Sequence, residues 1–159
     1  MTALAALVIA EHDNASLKGS TLNTVTAAVQ TQLQAGGNVH VLVAGHNAKA
    51  AADAAAQIAG VTKVLLADAP HFADGLAENV AEQALAIAKD YTHILAPATA
   101  YGKNILPRLL KNFDFADLPV IINVHKLETD IPAEELRDGS RCRQTRHSCR
   151  RLAHRCRRR

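Results

Sequence analysis

The chain has 159 residues, enough for one domain with a sizeable core and short of what two would need. Apolar residues make up 48% but aromatic ones only 3%, so the core must come from Ala, Val, Leu and Ile. The net charge of +3 averages two unlike parts: residues 1–136 carry 8 Lys and Arg against 14 Asp and Glu, while residues 137–159 carry 10 Arg against the single acid Asp138. All three cysteines (Cys142, Cys149, Cys156) lie in the basic part, which excludes a disulfide framework in the acidic body and suits a reducing compartment.

The first run, LAALVIA (4–10), is apolar at consecutive positions, as in a strand of a parallel sheet covered on both faces. It stops at Glu11, too soon for a membrane span, and the N-terminus lacks a basic signal leader or an Arg-rich transit pattern. No membrane insertion and a bacterial cytoplasmic location are expected. Ser20 or Thr21 is placed to cap a helix with the stripe Leu22, Val25, Val29 and Leu33, which Gly36-Gly37 ends. VHVLVA (39–44) is the second strand. Asn47 is placed to cap the Ala-rich KAAADAAAQIA, which Gly60 ends. KVLLA (63–67) is the third strand, followed by a helix over about 75–90 with Leu76, Val80, Ala84 and Ile87 on one side. HILA (93–96), a helix from near Gly102 to about Phe113, and VIINV (120–124) complete the series.

This alternation predicts an α/β fold: an open, doubly wound, mostly parallel sheet of about five strands, with helices on both faces and right-handed crossovers. The domain is expected over 1–126. Residues 127–159, an acidic linker and an Arg/Cys-rich tail, are expected to be disordered or non-native. In a 3-2-1-4-5 strand order the first and fourth strands flank the topological switch point, where ligands of such sheets bind.

Two segments face that crevice: IAEHDNASLKGSTLNTVTAA (9–28) and ILAPATAYGKNILPR (94–108). Thr99, Gly102 and Lys103 surround a helix start, where free N–H groups and an ammonium can hold a phosphate. The alternative is that Gly102 makes a turn and Lys103 is solvated; the pair lacks the full phosphate-loop spacing. Glu11, His12 and Asp13 form a polar cluster able to titrate or bind, although a triplet at a strand end is more often simply solvated. His40 and His93, in or beside strands, read as structural. His46 and His71 lie in loops.

With LVIAEHDN, LKGSTLNTVTAA and APATAYGKNILPR in order, and VLVAG and IAGVTKVLLAD between them, residues 4–108 resemble the N-terminal domain of the electron transfer flavoprotein alpha subunit. QTQLQ (30–34) lengthens the first helix relative to that pattern. The resemblance implies an electron carrier without catalytic residues, in which alpha and beta subunits share one FAD. It implies electrons taken from flavin dehydrogenases of fatty acid and amino acid oxidation and passed to a membrane-bound quinone oxidoreductase. It also implies that FAD is held mainly by a C-terminal domain of alpha, that the N-terminal domain packs on the beta subunit, and that a related beta domain binds AMP. The cleft at Glu11, His12, Thr99, Gly102 and Lys103 would then be a relative of a nucleotide site that need not be occupied in alpha; the rival readings are a small adenine-nucleotide module binding AMP between Glu11–Asn14 and Thr99–Asn104, which is disfavoured, and a basic-tailed tether to nucleic acid. LLKNFDFADLPVIINVHKLETD keeps helix and strand character but not the family's residues, and no position matches the family's FAD ligands. The chain alone is expected to bind no flavin.

The tail admits three readings. Its arginines would bind phosphates in a salt-sensitive way, but no aromatics are interleaved for base stacking, so nucleic acid is a disfavoured partner. Its cysteines recur every seven residues and lack the tight C-x₂₋₄-C pairs of zinc modules, so no metal is expected. Arg, Cys, His and Ser with almost no Val, Ile or Phe fit a GC-rich coding sequence read out of frame or a fusion, the preferred reading, and such a composition buries no core.

Overall fold

Five parallel strands make one sheet in the order β3-β2-β1-β4-β5. They are β1 (Ala5–Ile9), β2 (Asn38–Gly45), β3 (Lys63–Asp68), β4 (His93–Pro97) and β5 (Val120–Val124). The computed structural model describes residues 5–112 and 120–124, without the side chains of 33–35 and 120–122. The expectations for the acidic linker, the Arg-rich tail and its cysteines lie outside the described residues, as does Phe113.

Four helices connect the strands: α1 (Gly19–Ala35), α2 (Lys49–Ala56), α3 (Ala77–Ala88) and α4 (Ala100–Leu110), with a short 3-10 turn at Pro70–Phe72. Strand β1 is central, Leu7 lying opposite His40 of β2 on one side and Ile94 of β4 on the other. All five of its residues are buried. Alternate side chains of the strands feed two cores, since successive side chains point to opposite faces. Ala6, Val8, Val41 and Val43 meet Val25 and Ala28 of α1 and Ala51 and Ala55 of α2. Leu7, Ile9, Leu42 and Ile94 meet Val80 and Ala84 of α3 and Ile105 and Leu109 of α4. The predicted α/β sheet with helices on both faces is therefore the observed one, and every strand pairing is parallel.

The helix ends differ from expectation in instructive ways. Gly36 ends α1 in the left-handed region (φ 70°), its N–H bonded to the Gln32 carbonyl, as the Gly-Gly stop predicts. Neither Ser20 nor Thr21 caps α1; the cap position is Lys18, with no side-chain cap bond. Both hydroxyls are instead turned toward Glu11. Asn47 does not cap α2 either; it takes a left-handed φ of 54°, and Ala48 holds the cap position. The second helix stops at Ala56, short of Gly60, and the fourth starts at Ala100, two residues before Gly102. Leu22 and Leu76, expected on buried stripes, are exposed; Val25 and Val80 carry the burial on those helices.

Candidate functional site

The chain leaves β1 through Ala10 into a compact loop before α1. Asp13 anchors it: its carboxylate accepts from the Ser16 N–H at 2.6 Å and the Ala15 N–H at 3.2 Å, a local turn that Asp favours. Those bonds, the Ser16 N–H first, hold the exposed Asp13 carboxyl down to about 2. Lys18 lies 3.4 Å from it, an exposed pair. His12 is fixed from both ring nitrogens. Its Nδ1 accepts from the Asn14 N–H at 3.0 Å, so Nε2 carries the proton and donates to the Ala44 carbonyl at 3.1 Å. Burial lowers its pKa, against a raising effect of the Ala44 carbonyl. Asn14, at φ 68°, accepts from the His46 N–H and donates to the Ala73 carbonyl, tying the loop to β2 and the segment before α3. Gly45 makes room for this arrangement: a Cβ there would lie 2.3 Å from Asn14 Oδ1 and 2.8 Å from His12 Cε1.

Glu11 joins the two segments that face the switch point. Its Oε2 accepts from the Ser20 hydroxyl at 2.9 Å and from the Thr99 hydroxyl at 2.8 Å. Its backbone is clasped by Thr21, whose Oγ1 accepts from the Glu11 N–H and donates to the Glu11 carbonyl. The residues at the ends of β1 and β4 thus meet across the crevice, as the strand order requires.

Beside this junction lies a cavity of about 320 Å³ lined by Glu11, His12, Asp13, Phe72, Asp74 and Tyr101, among others. Among the described residues no Lys or Arg lines it. Burial first, and the Glu11 charge second, push the Tyr101 hydroxyl well above its ordinary value, so it is a neutral phenol. Gly102 is buried in the first turn of α4, where a Cβ would stand 2.0 Å from the Pro97 carbonyl oxygen; there it serves close packing of α4 on β4. Lys103 is exposed, and its ammonium makes no hydrogen bond among the described residues. Of the five predicted site residues, the structure places Glu11 and His12 in the cavity lining, bonds Thr99 to Glu11 just outside it, and leaves Gly102 and Lys103 out of the lining. Asn14 and Tyr101 fall within the two segments expected at the crevice, whereas Asp74 is brought in only by tertiary contact and Ser20, expected to cap α1, serves Glu11 instead.

Phosphate groups, whether of FAD or of AMP, need free donors or cations at the helix starts. Here the Ser20 and Thr99 hydroxyls are spent on Glu11, and the cavity wall is acidic. These hydroxyls and the acidic lining do not fit such a group; the first-turn N–H groups of α1 and α4 carry no side-chain cap bond, but the Glu11 carboxylate stands between them. Among the described residues, no three His, Cys, Asp or Glu side chains are grouped to hold a metal.

The described residues thus define a parallel, doubly wound α/β domain whose switch-point polar groups satisfy one another. Comparison with known proteins places this scaffold. The Electron transfer flavoprotein domain family matches residues 6–152, further than the motifs of 4–108 suggest. The match therefore takes in LLKNFDFADLPVIINV, which keeps the helix–strand pattern without the expected residues, and part of the Arg-rich segment. The chain is 49% identical over 126 residues to an electron transfer flavoprotein subunit alpha of Pseudomonas aeruginosa, covering 79% of this chain and 40% of that one. It is 40% identical over 133 residues to that of Paracoccus denitrificans, covering 82% and 42%. It is 38% identical over 130 residues to the mitochondrial subunit alpha of Dictyostelium discoideum, covering 77% and 36%. The chain belongs to the electron transfer flavoprotein domain family and is alpha-subunit-like within it. It spans about two fifths of the length of these relatives.

Proposed function

We propose that this chain is the N-terminal, subunit-packing domain of an electron transfer flavoprotein alpha subunit, which pairs with a beta subunit and serves electron carriage rather than substrate conversion. Its similarity to alpha subunits supports the pairing. The observation that carries the scaffold role is the engagement of Glu11 with Ser20 and Thr99, which occupies both hydroxyls at the crevice and sets a carboxylate between the two helix starts. In this reading FAD is held by sequence other than residues 5–112, and no residue of this chain acts as a catalyst. Electrons come from flavin dehydrogenases and go to a quinone oxidoreductase. Among the described residues no helix is long and apolar enough to cross a membrane, and the proposed setting is the bacterial cytoplasm.

Co-expression with an electron transfer flavoprotein beta subunit tests this reading. A 1:1 complex is expected by size exclusion with light scattering, and the chain purified alone is expected to show no flavin absorbance. Failure to form the complex would refute the pairing. A stoichiometric flavin band on the isolated chain would refute the scaffold role.

A further inference from the structure

We infer that Glu11 is a built-in anion that closes the switch-point crevice of this domain to phosphate-bearing ligands. Open α/β sheets bind ligands outside the carboxyl ends of the strands at this point, and helix N-termini there favour negative charge. In this chain the negative charge is already supplied from β1. The Glu11 carboxylate takes the Ser20 hydroxyl from the second residue of α1 and the Thr99 hydroxyl from the residue preceding α4. Neither helix has an acidic residue in its own first turn.

Thr99 shows the preference directly. It occupies the cap position of α4 with extended backbone, where a Thr oxygen ordinarily accepts from the N–H groups of the first turn, yet it makes no side-chain cap bond. Its hydroxyl serves Glu11 instead. The surroundings reinforce the block. Asp13, paired with Lys18, and Asp74 line the adjoining cavity with Glu11, no Lys or Arg among the described residues lines it, and Lys103 stands exposed outside the lining. A phosphate approaching the uncapped first turns of α1 and α4 would meet the Glu11 carboxylate there and sit among like charges. This inference is independent of subunit pairing: the crevice would be closed whether or not the chain joins a beta subunit.

The test is residue-resolved amide NMR on the full chain, titrated with inorganic phosphate and, separately, with AMP at constant ionic strength. In the wild type, the amides of Ser20, Thr21, Ala100 and Tyr101 should stay in place at millimolar ligand, whatever residues 137–159 do. In Glu11→Ala they should move saturably, with affinity at least about tenfold above any wild-type response. Adding Thr99→Val to Glu11→Ala should remove most of that gain. Response to phosphate and AMP alike would assign recognition to the phosphate, whereas response to AMP alone would overturn the anion argument. Saturable shifts at these amides in the wild type, equal to those of Glu11→Ala, would also overturn it, as would a folded Glu11→Ala with no gain. If Glu11→Ala does not fold, Glu11→Ser carries the same expectation, and the wild-type titration decides by itself against an open crevice.

Discussion

At the residue scale the loop after β1 depends on one protonation state. His12 must accept at Nδ1 from the Asn14 N–H, which an imidazolium cannot do. Burial adds to this and places the folded pKa below the ordinary 6.5. The unfolded chain therefore takes up the proton first as pH falls. The contribution of neutral His12 is fully present above about pH 6.5 and is lost progressively below it, down to the folded pKa. His40 is also lowered, by burial and then by Lys63, and adds a slope of the same sign. The expected result is that stability measured by urea unfolding drops between pH 7.5 and 5.5, and that His12→Asn flattens part of this drop. An unchanged slope in His12→Asn would show that His12 titrates alike in both states. The His12 tautomer could not be seen in EHDN; it follows from a carbonyl of β2 and an amide two residues on.

At the element scale, the fit of α4 on β4 turns on Gly102. Replacement by Ala should gain up to about 1 kcal/mol of helix propensity. Against that, the new Cβ would stand 2.0 Å from the Pro97 carbonyl oxygen and 3.3 Å from the Ala96 Cβ, and backbone cannot swing aside as a side chain can. Overpacking of this kind costs about 1–3 kcal/mol, and the contact with backbone puts it toward the upper end, so Gly102→Ala should lower stability on balance by up to about 2 kcal/mol. A raised urea midpoint would mean that α4 lifts from β4 freely. The Gly-Lys pair is conspicuous in the sequence and suggests phosphate; the structure uses the glycine for contact between a helix and a strand end. The helix starts teach the same lesson. Ser20, Thr21 and Thr99 have the right chemistry to cap, but hydroxyls choose among all oxygens and N–H groups within reach: Ser20 and Thr99 take the charged Glu11 carboxylate, the stronger partner, and Thr21 takes the Glu11 backbone. Glycine ends are easier to read, because the left-handed φ of 70° at Gly36 is a local property of the backbone.

At the scale of the whole molecule the sheet divides an aliphatic interior into two layers that share the strands. Strand β1 is paired on both edges and buried throughout, whereas β3 pairs only with β2 and leaves Leu66 exposed. Opening β1 requires breaking both layers, and opening β3 does not. Amide hydrogen exchange should therefore be slowest at Leu7, Val8 and Ile9 and faster at Leu65 and Leu66. Equal protection across the two strands would mean that the sheet opens only as one unit.

By itself the sequence determined the alternating elements, the parallel sheet and the family. Consecutive apolar runs, Ala-rich amphipathic stretches and Gly stops are local signals, and the ordered motifs from LVIAEHDN to NILPR are specific as a set. Only the tertiary structure decided which groups meet at the crevice. Glu11 and Thr99 are separated by most of the domain, and their 2.8 Å hydrogen bond exists because β1 and β4 are neighbours in the sheet. Thr99 reads as part of a phosphate site in one dimension and serves the Glu11 carboxylate in three, since hydrogen-bond capacity is fixed by residue type but its partner is fixed by the fold.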